Sequence, residues 1–195
     1  MPRSGSTLIF NALRLLLESD PDCKLQSAWV REARDLPRAN TYLIKTHGMN
    51  VIDAWRASKI IYSYRDPRVA LVSLCRKFDV QPTAEFIRNW LRDFAFAEER
   101  ADLLIRYELM ITDLSAIVSA LADVVGIKTD TEQLVTKLTE VMGPGITADK
   151  KTLLHDNHVT GTRDDDWRAF FSEDMKEEIA REFGPWLERH GYEAV

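Results

Sequence analysis

Cysteine is nearly absent from this chain. Cys23 and Cys75 are the two among 195 residues, too few for a disulfide framework, and neither belongs to a C-x-x-C pair. Free thiols in a reducing compartment are therefore expected, and with them a cytoplasmic location. Long apolar runs are also lacking, and none approaches the ~20 residues that cross a bilayer. The apolar stretch from Thr7 to Leu17 is broken by Asn11 and Arg14 and offers no small-residue cleavage site, which excludes a signal peptide. An excess of positive charge is missing as well. Lys and Arg number 26 against 31 Asp and Glu, a net charge of −5, which argues against a general nucleic-acid binder but leaves room for one local basic pocket. Repeats and low-complexity tracts do not occur. With 45% hydrophobic and 29% charged residues, the composition fits one soluble globular domain over residues 1–195, long enough to bury a single core.

What is present is an alternation of helical and β-prone segments. Leu8, Ile9, Ala12, Leu15 and Leu16 recur at helical spacing, so a helix opens directly from the Ser/Gly-rich residues 2–7. Residues 18–40 are polar and mixed, with Pro21 and Pro37 as breakers, and read as loop with at most a short helix. Thr41–Lys45 and Lys59–Tyr64 are β-prone, with a short helix expected over 50–57 between them. Asp66 caps and Pro67 begins a helix to about Phe78. Thr83–Ala101 is amphipathic, and Phe86, Trp90 and Phe94 along it read as core. Leu103–Tyr107 reads as a third buried strand, followed by helices over 112–125 and 131–142. Residues 143–166 form a long polar stretch, of a length that inside a compact domain usually carries function. A helix over 172–190 closes the chain, with a kink expected at Gly184-Pro185.

This order implies an α/β fold of three layers, α/β/α, with a short central parallel sheet covered on both faces. Ligands in such sheets sit at the carboxyl ends of the strands. His47, Arg65 and Tyr107 each fall at such an end. One element is missing from the pattern: a phosphate-type loop ordinarily follows a buried strand, and here the loop lies at residues 2–7, so either the sequence starts late, with Met1 an internal methionine, or the sheet lacks its usual first strand.

Pro2-Arg3-Ser4-Gly5-Ser6-Thr7 opens a helix, which directs backbone N–H groups and the positive dipole end at a phosphate or sulfate. The same residues also suit a plain serine cap, and the loop alone leaves both readings open. It is not a kinase-type loop, because Ser6 stands where G-x-x-x-x-G-K-[S/T] needs lysine and the cation appears earlier, at Arg3. A sulfuryl group carries less charge than a phosphoryl group, so a positioned cation and amides can suffice without metal. Arg65 at a strand end and Ser73, eight residues on, can converge on one phosphate as fork and hydroxyl.

The order Pro-Arg-Ser-Gly-Ser-Thr, Lys45-Thr46-His47, Tyr62-x-x-Arg65-Asp66-Pro67-Arg68 with Ser73, Tyr107-Glu108, and His158-Val159-Thr160-Gly161 before Asp166-Trp167 resembles the sulfotransferases that use 3′-phosphoadenosine 5′-phosphosulfate (PAPS). The resemblance runs from residue 2 to Trp167 and implies a P-loop-like fold with a phosphosulfate-binding loop. It implies that Arg3 contacts the sulfuryl group, that Ser4, Gly5, Ser6 and Thr7 bind the 5′-phosphosulfate, and that Arg65 and Ser73 bind the 3′-phosphate. Tyr107 would lie near the adenine. Gly161, Thr162 and Arg163 would form the lid over the 3′-phosphate. His47 matches the general base of cytosolic members, as suits an imidazole that titrates near neutrality, with Lys45 assisting and His155 and His158 as reserves. PAP (3′-phosphoadenosine 5′-phosphate) would be the product, no metal is implied, and the acceptor would be a small molecule or carbohydrate.

The sequence departs from the family at three places. Leu8 replaces a frequent tryptophan, Val69 a frequent aspartate, and the segment from Gly161 to Trp167 is one residue longer and lacks the Arg-Lys pair. Two other readings follow: a P-loop nucleotide kinase, and a non-catalytic PAP- or anion-binding module of the same fold.

Overall fold

The computed structural model describes residues 1–49, 56–143, 149–154 and 166–194. Helix α1 (Ser6–Ser19) is followed by β1 (Leu25–Trp29), a 3₁₀ turn over Ala33–Asp35, β2 (Thr41–Lys45) and β3 (Ile61–Tyr64). Then come α2 (Pro67–Phe78), α3 (Ala84–Arg100), β4 (Leu103–Arg106), α4 (Tyr107–Thr112), α5 (Leu114–Val125), α6 (Thr131–Met142), α7 (Asp166–Phe170) and α8 (Glu173–Arg189). The strands form two parallel pairs, β1 with β2 and β3 with β4, with Trp29 opposite Lys45 and Tyr64 opposite Arg106.

The layering follows from the period of two along the strands. Ile61, Leu103 and Ile105 turn toward a core built by α1, α5 and α6, where Leu16, Leu121 and Leu138 are fully buried. Tyr62, Tyr64 and Leu104 turn the other way, onto α2, α3 and α8, around Val72, Ile87, Phe94 and Ile179. Helices therefore cover both faces, the three-layer α/β/α arrangement that the sequence pattern implies.

Helix ends follow local chemistry. Asp66 accepts from the Arg68 N–H ahead of Pro67 at the first helical position. Asp113, Asp130 and Ser172 cap α5, α6 and α8 in the same way, and Gly126 ends α5 with φ 73°. Asp113 also explains a difference from the sequence reading. The helix expected from residue 112 begins instead at Leu114, and Tyr107–Thr112 winds a separate short helix, since the Asp113 backbone (φ −145°) interrupts them.

Residues 18–40 also depart from expectation. They contain β1, which alternates too weakly (Leu-Gln-Ser-Ala-Trp) to stand out and owes its extended form to pairing with β2. Pro185 sits inside the continuous helix α8. The expected helix over 50–57 falls largely outside the described residues, as do His155, His158, Gly161, Thr162 and Arg163. Of the long polar stretch, Asp149–Leu154 is a tight turn closed by a bridge between its ends. No helix among the described residues is long and apolar enough to cross a membrane.

Candidate functional site

Gly5 governs the loop. It occupies the N-cap of α1 at φ 77°, and no side chain closes that cap. Only glycine adopts this backbone without strain. Space adds a second demand: a Cβ on Gly5 would lie 2.7 Å from the Met110 methyl and 2.9 Å from the Tyr107 ring. The loop is thus laid directly onto α4. Arg3 also has positive φ, 60°, a strained arrangement for a non-glycine residue that is associated with functional loops.

Serine and threonine hydroxyls in the loop fasten it to the sheet. The buried Ser4 hydroxyl lies 2.6 Å from the Met1 carbonyl, 3.0 Å from the Ser63 carbonyl and 2.7 Å from the Ser63 hydroxyl. Thr7, also buried, accepts from the Lys45 ammonium in a short contact that ties α1 to the end of β2.

Three cations gather around this loop. The Arg3 Nε donates to the Ser73 hydroxyl at 2.9 Å, and Arg65 Nη1 reaches the Arg3 carbonyl at 3.5 Å. The Arg65 guanidinium lies over the Tyr107 ring, 4.1 Å from its centre, a cation–π arrangement. Burial, and then the charge of Arg65, pulls the Arg3 guanidinium below its ordinary pKa. Burial, and then the charge of Arg3, brings Lys45 down from 10.5 to about 8. These cations repel one another, and a protein that holds them together gains most when an anion sits between them.

His47 follows β2 and packs its ring edge-on against Trp29, centres 4.9 Å apart at 67°. The Thr46 hydroxyl accepts from the Gly48 N–H at 3.1 Å and shapes that turn. His47, Lys45 and Ser6 line one cavity together. Loop, Lys45, His47, Arg65, Ser73 and Tyr107 therefore meet at the carboxyl ends of the strands.

The Arg-Asp-Pro-Arg run divides its labour. Arg65 turns to the loop, whereas Asp66 and Arg68 form a buried bidentate pair with contacts of 2.7–3.2 Å, and Arg68 stacks on the buried Trp167 ring at 4.1 Å. Glu108 ties the neighbouring elements together by accepting from Arg106 and Tyr192, each at 3.1 Å. Three contributors escaped the sequence reading. Ser63 is a polar residue at a buried strand position, a signal that was available. Trp29 lay in a segment with no strand signal, and Met110 looked like any core methionine.

The site sits on an α/β/α fold with a glycine-capped, helix-opening loop at its sheet edge. Comparison with solved structures sharpens it. Mouse sulfotransferase SULT7A1 in complex with PAP aligns with a TM-score of 0.65 and 16% identity over 95% of this chain and 81% of that one. Retinol dehydratase in complex with androsterone and inactive cofactor PAP aligns with a TM-score of 0.61 and 14% identity, over 95% and 78%. The chain has the fold of these two PAP-bound proteins. No family model matches the sequence, and no curated protein matches it.

Proposed function

We propose that this chain is a sulfotransferase that takes PAPS as donor and passes its sulfuryl group to a hydroxyl or amine of a small-molecule or carbohydrate acceptor. The observation that carries this reading is the convergence of Arg3, Lys45 and Arg65 on a glycine-capped loop, in a fold whose neighbours hold PAP. The residues fit such a donor. Gly5 lets the loop lie close on Met110 and Tyr107 with its backbone at the start of α1, and Arg3, Lys45 and Arg65 bring positive charge to that loop. The bound donor supplies an activated sulfuryl group on a phosphate leaving group.

Each residue then has a part. The loop amides with Arg3, Ser6 and Thr7 hold the phosphosulfate at the positive end of α1. Arg65 and Ser73 hold the 3′-phosphate, and Tyr107 lies beside the adenine. His47 removes the acceptor proton, and Lys45 offsets charge that develops on oxygen. Gly161, Thr162 and Arg163 close over the donor. Ser4 contributes through its backbone, since its hydroxyl faces Ser63.

Calorimetric titration with PAP tests the donor assignment. Arg65→Ala is expected to weaken PAP by about 1.5–3 kcal/mol, the size of a hydrogen bond to a charged group. Unchanged affinity would remove Arg65 from the phosphate site. PAP binding without transfer from PAPS to any of a panel of alcohols, phenols, amines and sugars would reduce the chain to a binding module.

Lys45 gives a pH signature. Its pKa of about 8 lies below that of the unfolded side chain, so folding releases its proton, and its contribution to stability rises with pH from about 8 to 10.5. A bound anion pulls the other way and raises its pKa. PAP affinity is therefore expected to be full below pH 8 and to decline above it, with uptake of up to one proton near about pH 8.5. Calorimetry in two buffers of different ionisation enthalpy reads that uptake; its absence would place Lys45 out of reach of the donor.

A further inference from the structure

Glu108 follows Tyr107, and its carboxylate joins three parts of the chain that are far apart in sequence. Oε2 accepts from Arg106 Nε and from the Tyr192 hydroxyl, each at 3.1 Å, and Oε1 accepts from the Asp66 N–H at 3.4 Å. Arg106 ends β4, and Asp66 follows β3 and caps α2. The carboxylate therefore spans the ends of two paired strands, where Tyr64 stands opposite Arg106. Arg65 and Tyr107 each lie one residue from these contacts. They are the two whose guanidinium and ring stack at 4.1 Å.

The third contact is built by the end of α8. Gly191 (φ 72°) reverses the chain there: its N–H donates to the Glu188 carbonyl at 3.0 Å, and that of Tyr192 to the Leu187 carbonyl at 2.8 Å. These are the two bonds of a Schellman end. Its usual apolar contact is present too, as the Tyr192 ring stacked on Trp186 with centres 6.0 Å apart at 14°. The same turn sets the Arg106 guanidinium over the Tyr192 ring, 4.3 Å from its centre. Tyr192 is buried, and burial, with the Glu108 charge next, raises the pKa of its phenol. Its hydroxyl stays a donor at neutral pH, and a closed helix end holds that donor on Glu108.

We propose that Glu108, held by Tyr192, is a positioning residue that fixes Arg65 against Tyr107, so that the C-terminal turn at residues 190–192 sets how tightly the 3′-phosphate is bound. The inference rests on the donor reading for its ligand but not for its geometry. Cation–π attraction is of the same order as the rotamer freedom that an ordered arginine gives up. The stack therefore holds only where the two backbones keep their spacing. A carboxylate bonded at both strand ends keeps it.

Calorimetry with PAP and with adenosine 5′-phosphate, which lacks the 3′-phosphate, tests this on Glu108→Gln and Tyr192→Phe. NMR shifts of the Arg65 side-chain protons, recorded without ligand, report the stack itself. Those protons should lose their ring-current shift from Tyr107 in both variants. Glu108→Gln should weaken PAP by about tenfold and Tyr192→Phe by about threefold, as lost hydrogen bonds do, while adenosine 5′-phosphate changes by less than about twofold. On an Arg65→Ala background Glu108→Gln should add nothing, since the two act as one unit. Arg65 shifts that stay in place, equal weakening of both nucleotides, or an undiminished effect of Glu108→Gln without Arg65 would each overturn the proposal. No PAP binding by the unaltered chain would instead overturn the donor reading, and the Arg65 shifts would still decide whether Glu108 positions the stack.

Discussion

Asp66→Ala should cost the fold about 3–5 kcal/mol, the range for removing one partner of a buried ion pair. Arg68 is 2% exposed, and its Nε and Nη2 donate to the Asp66 carboxylate. Without Asp66 the guanidinium keeps the Trp167 face but loses its counter-charge inside the core. The Asp66 cap on the Arg68 N–H is lost in the same change, typically about 1 kcal/mol. The double variant Asp66→Ala/Arg68→Met should recover much of the loss, because an apolar side chain of similar length has no charge to strand. Urea midpoints of the two single variants and the double variant measure the coupling. A loss under about 1 kcal/mol for Asp66→Ala would mean that solvent reaches the pair.

That pair also shows how far the sequence reading reached. Asp66-Pro67 announced a helix start, and α2 begins there, because cap and first-turn chemistry are local. The strands at 41–45, 61–64 and 103–106 were visible for the same reason, as short apolar or β-branched runs between breakers. What lay hidden was set by distant partners. β1 exists through its pairing with β2, so Trp29, which packs on His47, could not be placed. The burial of Asp66 and Arg68 comes from Trp167, a hundred residues later, so the second arginine of the motif looked equivalent to Arg65 although it supports the core. Gly5 was legible as a loop glycine, but the reason no other residue fits is the Met110 methyl and the Tyr107 ring, known only once α4 lies beneath the loop. Local chemistry named the elements and most of the residues that meet at the loop. Which side chain faces the loop and which faces the core was decided by packing.

His47→Ala carries the largest expected effect on activity. A base that takes the acceptor proton contributes about 10²–10⁴-fold, so turnover should fall by that factor, roughly 2.7–5.4 kcal/mol of barrier. PAP affinity should not change, because the charges assigned to the donor belong to Arg3, Lys45 and Arg65. That separation distinguishes lost chemistry from a damaged loop, which would weaken both. The position suits a general base. His47 leaves β2 two residues after Lys45, whose ammonium is anchored to Thr7 at the start of α1, and it shares a cavity wall with Ser6. The Trp29 ring braces its flank, so Trp29→Ala should cost turnover a smaller factor, again without loss of PAP. Transfer of labelled sulfuryl from PAPS to whichever acceptor the unaltered chain accepts is the measurement. His47→Gln, which keeps a polar side chain but cannot take the proton, should lose the rate in the same way. A fully active His47→Ala chain would hand the proton to another group. His155 and His158 would then be next to replace, and their variants would show whether the segment around them supplies the base.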